Sequence, residues 1–434
     1  MRLSYLVFIL VILTNSFAHS TLHEEEPALY SYIIGSINSD KIEAESNSDI
    51  YAIPASCLKV VTTLLAYKVL GKDFNYQTRL YKADNDYIIK FSGDPTFTSE
   101  KLKELLLPIQ GKKIEGRLIL DNSLFIVHPH STNIIVGDRG KHYARPVSAL
   151  IIDENFIHLD IFPTSNGKLA QVSSESGFEV RSELIIDENP SNITTTWEGD
   201  TILLKGNINK SSEAVSKALS PLEIDEFAQH KLKKLLKELS INAQIKIIND
   251  ETLMPQQMQL VKAIDSETLE VIIPPALERS DNMVFDTLFL NIIHKVQQAK
   301  IKDWGEGNVI IKRLIQEYLG VDVEKAIIAD GSGLSFYNRI QPKKLFEILK
   351  NNYTDMTFLS SMPKIDYINE RLGEEVLPSY LRAKTGALLG FRCLCGYDTR
   401  ANDPKAFVIM ANSFEPLSKN INAVLAKFIS EKLK

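Results

Sequence analysis

Cysteine is scarce in this chain: three in 434 residues. That excludes a disulfide-framed scaffold and a four-cysteine zinc site, and the spacing of the three does not suit a three-cysteine, one-histidine site. Positive charge is not in excess either. Forty-nine basic against 55 acidic residues leave a net charge of −6, a balance that argues against a nucleic-acid partner, which calls for a basic face. Beyond the N-terminus no apolar run approaches the length of a membrane span. There is no internal repeat and no low-complexity tract. What is present is a globular composition, 44% hydrophobic and 24% charged, on a chain long enough for two or more domains.

The N-terminus indicates a compartment. Met1-Arg2 is a short positive segment, Leu3 to Leu13 is almost wholly apolar, and Ser16-Phe17-Ala18 places small residues ahead of a cut after Ala18. This is the pattern of a secretory signal peptide, too short for a comfortable span; an uncleaved anchor is the alternative. No cysteine stands there to carry a lipid. The expectation is an exported, periplasmic protein with no integral span in the mature chain. Cys393 and Cys395 are two apart in a strand-like run and share a face, a geometry that rarely closes a disulfide. With Cys57 alone, buried free thiols are expected.

Along the chain, Tyr30 to Ile37 reads as a strand and Ser39 to Asp49 as a polar loop. Pro54-Ala55-Ser56 opens a helix whose apolar positions Leu58, Val61, Leu65 and Val69 keep the 3.6 period until Gly71. From about Asp73 to Asp250 short β-rich runs alternate with turns, followed by an amphipathic helix over Leu222 to Leu239. After Asp250 helices dominate: Met283 to Gln298, Val309 to Leu319 and Pro342 to Leu349. Three strand-like runs follow (Tyr380 to Thr385, Leu389 to Tyr397, Ala406 to Ala411), then a last amphipathic helix carrying Leu417, Ile421, Val424 and Phe428. The order predicts one α/β domain, residues 19–72 plus 251–434, interrupted by a β-rich insert over 73–250 that can hold two subdomains.

Three short motifs carry chemistry. In Ser56-Cys57-Leu58-Lys59 the serine and lysine are three apart at a helix start, so hydroxyl and amine can meet on one face. A serine needs a base to attack, and a desolvated or cation-crowded lysine can be one. The same spacing recurs at Ser165 and Ser361, where glycine or proline lies inside the motif; an N-cap serine is the other reading of Ser56. Ser280-Asp281-Asn282 precedes a long apolar helix, where serine can pass a proton and asparagine can donate to a carbonyl; a helix cap is the alternative. Lys384-Thr385-Gly386 ends a strand-like run. Gly386 admits a backbone close to the strand, and the lysine and threonine can hold a carboxylate; a plain strand-end lysine is the alternative.

Together, in this order, the three form the set shared by serine β-lactamases and penicillin-binding proteins. The stretch between Ser56 and Ser280 is too long for the compact β-lactamases. With its β-rich insert the chain resembles the D-alanyl-D-alanine carboxypeptidase/endopeptidase family, the low-molecular-mass class C penicillin-binding proteins. Supporting matches are Pro54-Ala55-Ser56, Phe91-Ser92-Gly93-Asp94-Pro95, Pro146-Val147-Ser148-Ala149-Leu150, Asp330-Gly331-Ser332-Gly333-Leu334-Ser335, Asn338-Arg339 and Arg382-Ala383-Lys384-Thr385-Gly386. The resemblance implies a serine β-lactamase/transpeptidase-like α/β fold, a sheet flanked by helices and interrupted by β-rich insert domains. It implies Ser56 as acylated nucleophile, Lys59 as its base, and Ser280 as proton relay between Lys59, Lys384 and the leaving amine. Asn282 would hold the substrate amide, and Lys384 with Thr385 the terminal carboxylate. The N–H groups of Ser56 and Leu388 would form the oxyanion hole. Asp138 would contact the amine of the diamino acid in a peptidoglycan stem peptide, or be a plain loop aspartate. The implied substrates are D-Ala-D-Ala and D-Ala-diaminopimelate bonds, with β-lactams as covalent inhibitors and no cofactor or metal.

The chain departs from the family at Asp366-Tyr367-Ile368-Asn369-Glu370-Arg371, where Asp-Gly-Thr-Leu followed by arginine is usual. His128-Pro129-His130 lies near Asp138 in place of a tryptophan, with no third ligand spaced for a metal. The first strand also lacks the usual Asp-x-x-Thr-Gly turn. These departures leave two rivals: a peptidoglycan- or partner-binding relative with weak or no catalysis, and a β-lactamase or esterase on the same scaffold.

Overall fold

A computed structural model describes residues 28–125, 127–131, 134–164, 170–174, 176–298, 303–364, 369, 380–400, 402–413 and 421–433. The expected signal peptide, Ser165-Asn166-Gly167-Lys168, Leu417 and nearly all of the divergent 366–371 segment lie outside the described residues.

The chain begins with β1 (Leu29–Ser36) and β2 (Ile42–Ser46), then a 3-10 turn at Ala55–Leu58, α1 (Lys59–Leu65) and a π turn at Ala66–Leu70. There follow β3 (Asn75–Ala83), β4 (Asp86–Lys90), α2 (Ser99–Leu106), β5 (Lys113–Asp121), β6 (Ile157–Phe162), β7 (Gln171–Ser174), β8 (Glu179–Asp187), β9 (Asn192–Glu198), β10 (Thr201–Asn209) and β11 (Val215–Leu219). Then come α3 (Ile224–Glu238), β12 (Asn242–Ile248), β13 (Gln259–Thr268), α4 (Leu269–Arg279), α5 (Asn282–Gln297), α6 (Trp304–Leu319), α7 (Pro342–Asn351) and α8 (Met356–Ser361). β14 (Leu381–Leu388), β15 (Phe391–Asp398), β16 (Lys405–Asn412) and α9 (Ile421–Lys432) close the chain.

Two compact units result. Among the described residues, one holds those up to Asp73, Leu269–Asp281 and those from Gly305 onward; the other holds those within Phe74–Thr268 and Asn282–Trp304. The first is built on an antiparallel sheet of order β14-β15-β16-β1-β2. β1 is buried on both faces from Tyr30 onward, so it reads as a continuous apolar run and not an alternating one. On one face Tyr32, Ile34, Phe407 and Ile409 pack with Ile421, Leu425, Phe428 and Ile429 of α9. The Tyr32 ring meets Phe428 edge-on at 4.8 Å. α7 packs on β16 and β1. Each such fully buried side chain contributes about 1.5–3 kcal/mol. The Ser39–Asp49 loop expectation is corrected here: Ile42–Ser46 pairs antiparallel with β1 as the sheet's edge. An edge strand exposed on one side needs no apolar run, so its polar composition hid it.

The second unit carries a five-stranded sheet, β12-β5-β4-β3-β13, and two three-stranded sheets, β8-β10-β9 and β11-β6-β7. Leu159 and Ile161 of β6, Ile202 and Leu204 of β10, and Phe227 of α3 share one core. The boundary expected at 250 falls instead after Thr268, because β13 pairs antiparallel with β3 and completes the sheet. α5 also groups with this unit. α4 contains Pro274 and Pro275, residues that break helix patterns in a sequence and so mask this helix there. Among the described residues no helix is long and apolar enough to cross a membrane.

Candidate active site

The first unit gathers most of the expected residues. Pro54 and the left-handed Ala55 (φ 45°) turn the chain into the 3-10 segment that presents Ser56. One helical turn later, Lys59 Nζ donates to Ser56 Oγ at 2.9 Å and to the Ser332 carbonyl oxygen at 2.6 Å. Lys59 is 0% exposed. A lysine taken out of water in this way is the kind of amine that can accept a proton from serine.

The Ser332 carbonyl is itself held. Asp330 accepts from the Gly333 N–H at 2.7 Å, the Ser335 N–H at 2.6 Å and the Asn338 amide at 2.9 Å. Thr62 Oγ1 binds the Gly331 carbonyl at 2.7 Å. Gly333 has φ +82°, and a Cβ there would come within 1.9 Å of the Ala55 carbonyl oxygen. Only glycine allows this loop to press against the Ser56 turn. The Asp330–Ser335 and Asn338 matches received no role from the sequence; here they buttress Lys59.

Ser280 closes α4 rather than only preceding α5. Its N–H donates to the Leu277 carbonyl at 3.1 Å, and the Asp281 N–H to the Ala276 carbonyl at 2.9 Å. That is a Schellman closure with Ser280 at the left-handed position, φ 57°. A non-glycine residue is strained there. Lys384, 1% exposed, donates to Ser280 Oγ at 3.0 Å and to the Thr385 carbonyl at 2.8 Å.

Lys384, the half-buried Thr385 and Gly386 lie on β14, an edge strand. A Cβ on Gly386 would sit 2.7 Å from the Pro54 carbonyl oxygen and 3.0 Å from the Ser56 nitrogen, so the missing side chain lets the Ser56 turn close onto the strand. The parity of β14 corrects one assignment. The Ala383 N–H donates outward to the Pro363 carbonyl at 3.2 Å, and the β14–β15 register runs unbroken from Leu381↔Asp398 to Leu388↔Phe391. N–H groups alternate sides along a strand, so the Leu388 N–H points into the sheet, toward β15. The outward N–H beside Gly386 belongs to Ala387, which the sequence reading missed; strand alternation was the signal that could have found it.

Asp138 and Asn282 belong to the second unit and meet at one residue. Tyr143 Oη donates to Asp138 Oδ1 at 2.8 Å, and the Asn282 side-chain amide donates to the Tyr143 carbonyl at 2.8 Å. Burial, with the adjoining Asp138 carboxylate, pushes the Tyr143 hydroxyl up to about 12. The Gly93 N–H donates to the Ala149 carbonyl at 2.9 Å and the Val147 N–H to the Pro129 carbonyl at 2.7 Å. The Phe91–Pro95 and Pro146–Leu150 matches are therefore tied into this unit's scaffold. His130 is buried, and its Nε2–H donates to the Ala144 carbonyl at 3.2 Å. Burial, then the charges of Arg139 and His128, draw it down to about 4.

A sheet flanked by helices, joined to β-rich regions, places the chain in the serine β-lactamase/transpeptidase-like class of folds. Residues 14–432 match the D-Ala-D-Ala carboxypeptidase 3 (S13) family, and the chain belongs to that family. It is 26% identical over 428 residues to the D-alanyl-D-alanine carboxypeptidase DacB of Haemophilus influenzae, covering 92% of this chain and 88% of that protein. The crystal structure of penicillin binding protein 4 (dacB) from Haemophilus influenzae superposes with a TM-score of 0.82 at 24% identity, covering 95% of this chain and 98% of that one. The structure of that protein complexed with a β-lactam gives a TM-score of 0.76 at 24% identity and the same coverage.

Proposed function

We propose that this protein is an exported, periplasmic serine peptidase that cuts peptidoglycan stem peptides at D-Ala-D-Ala bonds. D-Ala-diaminopimelate crosslinks would be opened by the same machinery. The single observation that carries the reading is the double pairing of buried lysine with serine: Lys59 on Ser56 at 2.9 Å and Lys384 on Ser280 at 3.0 Å.

Lys59 takes the Ser56 proton as Oγ attacks the carbonyl carbon of the scissile bond. The developing oxyanion is met by the N–H groups of Ser56 and Ala387. Ser280, held by Lys384, relays the proton from Lys59 to the leaving amine of D-alanine, and the charged Lys384 with Thr385 holds its carboxylate. Water then hydrolyses the Ser56 ester. Asn282 is the proposed partner of the substrate amide, and Asp138 of the diamino acid's amine. A β-lactam, whose strained amide imitates the terminal dipeptide, would stop at the ester.

Intact-protein mass spectrometry after incubation with penicillin tests this. Wild type is expected to gain one penicillin mass and Ser56→Ala none. A wild type that takes no label, or a Ser56→Ala that still does, overturns the reading. A fast-turning-over adduct with a chromogenic cephalosporin would point to a β-lactamase instead.

A further inference from the structure

All three cysteines of the chain are buried and free, and they converge on one place. In the β14–β15 register Lys384 faces Cys395 and Gly386 faces Cys393. Residues directly opposite in an antiparallel pair project to the same side of the sheet. Lys384, Cys395 and Cys393 therefore surround the bare position at Gly386. The nucleophile turn fills that position: a Cβ on Gly386 would lie 3.0 Å from the Ser56 nitrogen and 3.1 Å from the Cys57 nitrogen. Cys57, next to the nucleophile, donates its S–H to the Lys384 carbonyl oxygen at 3.1 Å. Cys393 and Cys395, on the same face of the sheet as Gly386, are the thiols neighbouring Cys57.

The Lys384 carbonyl points into the sheet by strand parity, and its second lone pair is the one that Cys57 uses. One short bridge thus ties the residue beside Ser56 to the main chain of the lysine that holds Ser280. A methyl group would fill similar space but could not donate. A thiol is a weak donor, so the bridge adds little to stability. What it sets is distance, and acyl transfer is sensitive to displacements well under an ångström.

We propose that Cys57 is a positioning residue for acyl transfer: its hydrogen bond to the Lys384 carbonyl, backed by Cys393 and Cys395, holds the Ser56 turn in register with the Lys384 strand. This rests on the serine peptidase reading given above. The ionisable groups around Cys57 are Lys59 from α1, Lys384 from β14, and Cys393 and Cys395 from β15. Burial raises the Cys57 thiol, while the two neighbouring thiols and the two lysine charges draw it down, with a net downward direction. Only the protonated thiol can donate to the carbonyl, and a thiolate would repel it.

The test is the rate of penicillin acylation of the full chain, followed by mass, with Cys57→Ala and Cys57→Ser. Cys57→Ala is expected to slow the acylation step about tenfold, with penicillin affinity before acylation changed less than about twofold. Cys57→Ser, whose hydroxyl donates to the same carbonyl, is expected to return to within about threefold of wild type. The pH profile should also move: the Cys57 thiol is drawn below its ordinary range, so wild type loses rate there as the thiol ionises, and Cys57→Ser keeps its rate to higher pH. Equal rates for wild type and Cys57→Ala overturn the proposal. A folded Cys57→Ser no better than Cys57→Ala does the same, as do identical pH profiles for wild type and Cys57→Ser, which holds even if Cys57→Ala does not fold. A wild type without label overturns the peptidase reading itself; a labelled wild type with unaffected variants overturns only the role of Cys57.

Discussion

Lys59 is closer to the Ser332 carbonyl, at 2.6 Å, than to the Ser56 hydroxyl, at 2.9 Å. The proposed base is therefore held from behind by a loop whose shape depends on Asp330 and Gly333. Gly333→Ala forces a Cβ against the Ala55 carbonyl at a left-handed residue. Penicillin acylation is expected to fall at least about tenfold, because the displaced loop carries Lys59 with it. Rates measured beside circular dichroism of the folded variant decide this. An unchanged rate would show that the loop does not position the base.

Ser280 combines a hydroxyl on Lys384 with a left-handed backbone. Ser280→Ala and Ser280→Gly both remove the hydroxyl and should slow acylation alike. Their stabilities should differ in the opposite sense to ordinary helix propensity. Glycine relieves the φ 57° strain, so Ser280→Gly is expected to be more stable than Ser280→Ala by about 1 kcal/mol. Urea unfolding of the pair measures it.

His130 titrates near 4 in the folded protein, below its ordinary 6.5. The unfolded chain therefore binds more protons between these values, and stability rises with pH across that window. Acidification from pH 6.5 toward 4 should cost up to about 3 kcal/mol from this residue. In His130→Gln the loss over the same range should be smaller, as read by urea unfolding at pH 7 and pH 4.5. Equal losses would remove His130 from the acid response.

Asp138 is the proposed contact for the amine of a diamino acid, and Tyr143 orients it at 2.8 Å. Asp138→Asn should lower kcat/KM at least about tenfold on a stem peptide carrying a free diamino acid amine, the cost of removing one partner of a charged hydrogen bond. It should leave penicillin acylation, which offers no such amine, within about twofold. A matching loss on both substrates would assign Asp138 to scaffolding.

Features set by neighbours within one turn or one strand are legible in the sequence. The apolar period of Leu58, Val61 and Leu65 marks the helix that carries Lys59, and the spacing of Ser56 to Lys59 places hydroxyl and amine on one face; both depend on contacts within one turn. The last three strands follow from their own apolar runs in the same way. β2 was not legible, because an edge strand is defined by the neighbour it pairs with and not by its own burial. α4 was hidden by Pro274 and Pro275.

The sequence by itself determined the order of the three motifs, the helices and strands that carry them, and the scarcity of thiols. Only the tertiary structure decided where the insert ends, since β13 joins it by pairing with β3 across nearly two hundred residues of chain. It also decided that Ala387 and not Leu388 turns an N–H to the open edge, that Ser280 is left-handed, and that Cys57, Cys393 and Cys395 come together beneath the Ser56 turn. Each of these depends on register between distant segments, which is set by which strand edges and core faces close together, and no local period records that.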